Sequence, residues 1–421
     1  MRINFGNLTV RNLIVSYILL YSIMPIVQRL TSRYLTTYFY MAIVMLLVLL
    51  ILVLDRPENL NLYGSFLFPF ILYEFLTYFT AKHEIFLWGY QTLLFLLPVI
   101  LGYYFTQDDS RVLSSYSRII LFALIVTMIT TIIGCINNPY AARLLATTSD
   151  SQDATVSSFD LQNIGGYSFV YDMVLLYPVL ILAYKTKKIK LFPTIIIAVV
   201  VLSTIVYSEY TIALLLFILS STLFFTKRNL SARGIVLISI FAVLFLLLFS
   251  NVVVDFLTWL SGIVNSEVVS DKIQALAGGT TGLEQAEDNR FALYQTSLNV
   301  FYSHPIFGTL IEQTRIDGGH SFLLDNLAQF GFLGGVLMFF MYKNIFKRFF
   351  LPFKDKPGFG YVIWVFVQTL ILSLVNTGMW LDVLCLFAPI MFYWIYGTES
   401  KTEDEKNENT VDSKLTSGSV G

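Results

Sequence analysis

Charge is scarce in this chain. Only 13% of its 421 residues are Asp, Glu, Lys or Arg, about half the share of a soluble domain. Hydrophobic residues reach 56%, and mean hydropathy is +0.70. That combination excludes a soluble enzyme and identifies an integral membrane protein. Cysteine is nearly absent: Cys135 and Cys385 are the only two, both inside apolar segments. A disulfide framework and a Cys-based metal site are therefore unsupported. The three histidines, His83, His304 and His320, lack HExxH or related zinc spacing. The chain has no P-loop and no GxGxxG that would serve a nucleotide, and it has no internal repeat. The first apolar run is not followed by a small-residue cleavage site, so it reads as a retained membrane helix, not a signal peptide.

What is present is a series of apolar runs. A membrane helix needs about 20 such residues, and about twelve segments qualify. They lie near 12–30, 37–54, 64–81, 87–104, 118–136, 167–184, 191–208, 210–226, 234–254, 320–342, 359–376 and 380–397. The seventh and eighth are separated only by Ser208, Glu209 and Tyr210, which predicts a tight helical hairpin. With the N-terminus inside, twenty of the 27 Lys and Arg residues fall on the cytoplasmic side, as the positive-inside rule requires. KTKKIK and KNIFKRFFLPFKDK are the strongest anchors. The expected fold is thus all-α and polytopic over 1–398, N-in and C-in, with outer loops near 137–166 and 255–319. The larger loop joins helices nine and ten. The charged, Ser/Thr-rich tail, 399–421, reads as disordered and cytoplasmic.

The large outer loop carries the densest chemistry. Its segment from Arg290 has apolar residues at helical spacing (Phe291, Leu293, Tyr294, Leu298, Phe301), which predicts a short amphipathic helix at the outer interface. His304-Pro305 breaks it, and Gly308 allows a further turn. Asp317-Gly318-Gly319-His320-Ser321 then leads into the tenth span. His320, Asp325 and Gln329 recur near four-residue spacing and share one face of its first turns. Gly331, Gly334 and Gly335 permit close packing. Helix amides together with Arg290 and Arg315 make an anion site at the lipid boundary, for which planar guanidinium donors are suited. A neutral histidine beside it accepts a proton from a hydroxyl nucleophile. The anion expected there is the diphosphate of a lipid carrier. Each residue also has a plainer role available. An interfacial arginine can anchor headgroups, His304 can merely shape a turn, and Asp325 can bond a neighbouring helix. Glu74 and Asp172 lie near or within spans, where ionisable groups default to function.

Arg290, then His304-Pro305-x-Phe307-Gly308, then Gly319-His320-Ser321 and a Leu-rich helix with Gly331 and Gly334 resemble the O-antigen ligase and Wzy-type polysaccharide polymerase superfamily. The motif covers about 45 residues before the last three spans; topology extends the likeness along the chain. The resemblance implies a metal-independent glycosyltransferase of the bacterial cytoplasmic membrane, without cofactors. It would transfer undecaprenyl-diphosphate-linked glycan to a new lipid-linked repeat unit at the outer face. By motif, Arg290 would neutralise diphosphate and His320 would orient or deprotonate the acceptor hydroxyl. Arg143 in the earlier outer loop, Arg315, His304, Asp325 and Glu209 complete the expected substrate-binding set. Membrane lipid, a chain-length regulator and the flippase of the same pathway are the expected partners; nucleic acid is not. One departure stands out: many members carry a Ser-Arg pair where this chain has Ser208-Glu209. Either another arginine compensates, or Glu209 contacts acceptor sugar. The rivals are a ligase attaching finished polymer to another acceptor and a repeat-unit transporter. The sequence shows no pair of interrupted helices in matching halves, as a transporter would.

Overall fold

Inside a bilayer the backbone must satisfy its own hydrogen bonds, which leaves the helix as the default for long apolar runs. The computed structural model of this chain is accordingly helical almost throughout. It describes residues 4–5, 8–34, 60–80, 85–105, 110–147, 154–225, 284–310, 319 and 321–397, with isolated positions between 234 and 270. A two-residue antiparallel ladder, β1 (Asn4–Phe5) with β2 (Leu8–Thr9), opens the chain. The helices follow as α1 (Val10–Ile23), α2 (Pro25–Tyr34), α3 (Leu60–Thr80), α4 (Ile85–Phe105) and α5 (Ser110–Asn137). Two short helices come next, α6 (Ala141–Thr147) and α7 (Ala154–Leu161), then α8 (Tyr167–Lys185), α9 (Leu191–Ser208) and α10 (Thr211–Thr222). The last group is α11 (Glu284–Ser303), α12 (Phe322–Ile345), α13 (Phe359–Val375) and α14 (Ala388–Tyr396).

Among the described residues four helices are long and apolar enough to cross a membrane: Val112–Asn137 in α5, α8, α9, and α12 with its extension to Phe353. Counting α1 and α2 as one bent span makes five. Shorter apolar helices lie within α3, α4, α10, α13 and the Asp382–Tyr396 segment. The spans expected near 37–54 and 234–254, and the tail from 399, lie outside the described residues.

α8 is the axis of the core. From Phe169 to Ala183 nearly every side chain is buried, and a helix apolar on all sides belongs inside. α9, α10 and α13 pack around it. A closed polar network ties three of these helices together. Gln368 of α13 donates to the Leu175 carbonyl at 2.7 Å and accepts from Ser220 of α10 at 3.0 Å. Trp364 donates to the same Ser220 hydroxyl at 3.0 Å. Each such bond contributes about 1 kcal/mol net, but a lost partner would strand a buried polar atom, which costs more.

The first expected span is not one helix. α1 and α2 meet at an angle of 110°. The cause is Pro25, which has no amide to offer the Tyr21 carbonyl. Gln28 takes its place, donating its side-chain amide to that carbonyl at 2.8 Å. α2, with Arg29 and Arg33, turns away from the path of α1 and packs on α7, where Arg29 bonds the Ser157 hydroxyl. The predicted hairpin between spans seven and eight is present. Glu209 ends α9 in the left-handed conformation, φ 61°, and Tyr210 caps α10.

Candidate functional site

His304 follows the last residue of α11, which starts at Glu284, a turn earlier than the sequence reading that put Arg290 in its first turn. The His304 amide donates to the Val300 carbonyl, and its own carbonyl accepts from Gly308, both at 2.9 Å. The loop between them lies against a break in α12. Gly331 has φ 61° and ψ −150° in mid-helix, which withdraws helical partners from the amides that follow. The loop supplies replacements: Phe332 donates to the Pro305 carbonyl at 2.7 Å and Leu333 to Ile306 at 3.2 Å. Only glycine fits at the crossing. A Cβ on Gly331 would sit 2.5 Å from the Ile306 carbonyl carbon, and one on Gly308 2.4 Å from that of Gln329. His-Pro-x-Phe-Gly and the glycines of α12 are thus two halves of one backbone interlock.

Asp325 is also engaged within the protein. It is 6% exposed and accepts from the Ser297 hydroxyl of α11 at 2.6 Å and the Ser321 amide at 3.0 Å. Ser321 in turn caps α12 by accepting from the Leu324 amide at 3.1 Å. Tyr294 donates to the Val375 carbonyl at 3.0 Å, so α11 is fastened to both α12 and the end of α13. It is not merely an interfacial helix. Arg290 falls on α11, but its side chain, together with Arg315 and His320, lies outside the described residues.

Arg143 and Glu209 are brought together. The guanidinium contacts the Glu209 carboxylate at 3.2 Å and its backbone carbonyl at 3.0 Å. Glu209 is 4% exposed and Arg143 30%. An arginine therefore balances the carboxylate that stands in the hairpin. Its fork holds the left-handed turn as well as the charge. Tyr210, next in the chain, donates to the Ala142 carbonyl at 2.8 Å. Glu74 is likewise satisfied, by the Thr92 hydroxyl at 3.0 Å.

A cavity of about 580 Å³ opens at the head of α8, within the 300–1,000 Å³ common for small-molecule sites. Its wall includes Gln28 beside the α1–α2 bend, Asp160 of α7, Tyr167 and Asp172 of α8, Gly319, and Asn376 after α13. Burial pushes the Asp160 carboxyl above its ordinary pKa, and Arg29 opposes that rise. Asp172 interacts electrostatically with Asp382, on the segment that leads into α14. Asn376 is the joint. Its carbonyl accepts from the Phe322 amide at 2.8 Å, while its side-chain Nδ2 is buried without a hydrogen-bond partner among the described residues. Trp380 adjoins the cavity through Tyr167 and Tyr171, with ring centroids 6.1 and 5.4 Å away. Its Nε1 is buried and unpartnered too, and its φ is 55°. A bulky residue in that region stores strain, which concentrates at functional sites.

The sequence singled out Asp172 but did not join it to a site, and it missed Asn376, Trp380 and Asp382. A signal existed: Asp172 and Asp382 each stand near the start of an apolar segment on the same expected side of the membrane. No protein-family model matches the chain, and no characterised protein matches it in sequence.

Proposed function

We propose that this chain is a polysaccharide polymerase of the bacterial cytoplasmic membrane. It has about twelve spans, both ends are inside, and its site is on the outer face. The observation that carries this reading is the polar cavity at the head of α8, with Gly319, the neighbour of His320, in its wall. Two further features support it. α8 runs from the cavity to Lys185, and α12 from near the cavity to Lys343 and the basic stretch beyond. By the positive-inside rule the cavity end is then extracytoplasmic, where lipid-linked repeat units would be used. The aromatic rings of Tyr167, Tyr171, Tyr210 and Trp380 cluster beside it, the kind of surface that packs on sugar faces.

In this reading an acceptor hydroxyl attacks the anomeric carbon of the carrier-linked glycan. The new carbon–oxygen bond forms as the bond to diphosphate breaks, and undecaprenyl diphosphate leaves with the electron pair. His320 takes the hydroxyl proton. Arg290 and Arg315 balance the charge growing on the leaving group, which is worth most where water is excluded. Arg143 is engaged with Glu209 and helps by fixing the hairpin beside the site. Asp325 and the His304 backbone hold α11 and α12 in register. The remaining acceleration comes from holding donor and acceptor together. A purified preparation given lipid-linked repeat units should yield dimers and longer products with release of undecaprenyl diphosphate. Intact repeat units after prolonged incubation would count against the polymerase.

A transporter is the second reading, and interrupted helices favour it. α1–α2 bends at Pro25 and α12 breaks at Gly331. The break in α12, however, has its freed amides filled by the Pro305 and Ile306 carbonyls, so they do not face a substrate. Transport of labelled repeat units across proteoliposomes without elongation would decide for it.

A further inference from the structure

The expected site is built for an anion; the described residues at the head of α8 are of another kind. Among the described residues no Lys or Arg lines it, while Asp160 and Asp172 do. Arg29 lies close enough to act on Asp160, but its guanidinium is bonded to Ser157. Asp172 interacts with another carboxylate, Asp382. A diphosphate entering here would meet two carboxylates. A sugar would meet what its hydroxyls need: carboxylate acceptors, hydroxyls from Ser22, Ser168 and Thr377, and amides from Gln28 and Asn376. The strongest pointer is Asn376. It is 94% buried by its 6% exposure, it lines the cavity, and its Nδ2 has no partner. A buried donor without an acceptor calls for an explanation, and a ligand oxygen met by the amide as it turns toward the cavity provides one. The aromatic wall adds an apolar face on which a pyranose ring can stack.

The geometry points to this cavity as a pocket for an uncharged sugar of the acceptor unit, held by Asp172 and Asn376 against Tyr167, and separate from the diphosphate site. The assignment rests on the glycan-transfer reading but makes its own demand: sugar affinity and diphosphate affinity must depend on different residues. Asn376 engages α12 through its backbone, so replacing its side chain leaves that link intact.

The test uses the full chain in nanodiscs and two probes, followed by calorimetry. One is the free repeat-unit oligosaccharide, released from its carrier by mild acid; the other is undecaprenyl diphosphate. Asn376→Leu and Asp172→Ala should each weaken oligosaccharide binding at least tenfold and leave undecaprenyl diphosphate within twofold. Lys354→Ala, exposed and outside the cavity wall, should leave both probes within twofold and serves as a folded control. Absence of oligosaccharide binding to wild type, wild-type affinity in Asn376→Leu, or equal loss of both probes would overturn the pocket. If elongation fails but oligosaccharide binding and its loss in Asn376→Leu persist, the pocket stands and the reaction is wrong. If elongation succeeds without oligosaccharide binding, only the pocket falls.

Discussion

The α11–α12 interlock and the cavity at the head of α8 contain similar residue types put to opposite uses. In the interlock the polar groups are matched. Asp325 accepts from Ser297 and Ser321, and the amides freed at Gly331 reach the Pro305 and Ile306 carbonyls. In and beside the cavity, Asn376 and Trp380 hold buried donors without partners among the described residues, and Asp172 meets a second carboxylate, Asp382. The lesson is that a conspicuous motif in a membrane protein need not be the surface that meets the ligand. Matched polar groups fix geometry, and unmatched ones remain available for binding.

Substitutions can break this contrast, and the largest effects belong to the matched side. Arg143→Ala takes the guanidinium away from the buried Glu209 carboxylate, a change that costs about 3–5 kcal/mol. Folded yield from detergent should collapse, and Arg143→Ala combined with Glu209→Gln should recover part of it. Gly331→Ala forces a positive φ on alanine and drives its Cβ into the Ile306 carbonyl. Strain of about 1–2 kcal/mol and overpacking of about 1–3 kcal/mol should lower the thermal midpoint by several degrees. Ser297→Ala removes one charge-assisted bond to Asp325 and should cost about 1.5–3 kcal/mol, read by the same melt. Asn376→Leu should run the other way. Removing a buried donor with no partner relieves about 1–3 kcal/mol of desolvation, so the midpoint should hold or rise while polymer is lost. A fall in midpoint comparable to Ser297→Ala would place Asn376 with the matched groups. Lys82→Ala, in an expected outer connection that carries none of the candidate site residues, should leave polymer at wild-type levels on a glycan gel; a null there would move the site.

Much of the helical layout was legible in the sequence because apolar run length decides it. α8, α9 and α13 begin and end within a residue or two of their runs. The Glu209 hairpin was legible for the same reason, since three residues leave room for nothing longer. The bend at Pro25 was visible as a proline, yet run length hid it: Ile26 and Val27 prolong the apolar stretch across the break. The interlock could not be read because it pairs residues 305–306 with 332–333 through backbone atoms, which side-chain patterns do not encode. The cavity was hidden differently. Its wall combines the α1–α2 bend, α7, α8, Gly319 and the turn after α13, which are distant in the chain, and its most informative residue is an ordinary asparagine. Arginines and histidines draw attention in an apolar sequence. An amide left without a partner becomes visible only after the helices are assembled.

The central claim is that lipid-linked repeat units are joined at the outer end of this bundle. The most direct test is the size profile of carrier-linked glycans in a deletion strain complemented with wild type or with Arg290→Ala. Single repeat units accumulating at the outer face in the variant, with a full ladder in wild type, is the predicted result. Full-length carrier-linked polymer in the variant would make the chain a ligase, and single units trapped on the cytoplasmic face would make it a transporter; either would contradict the account.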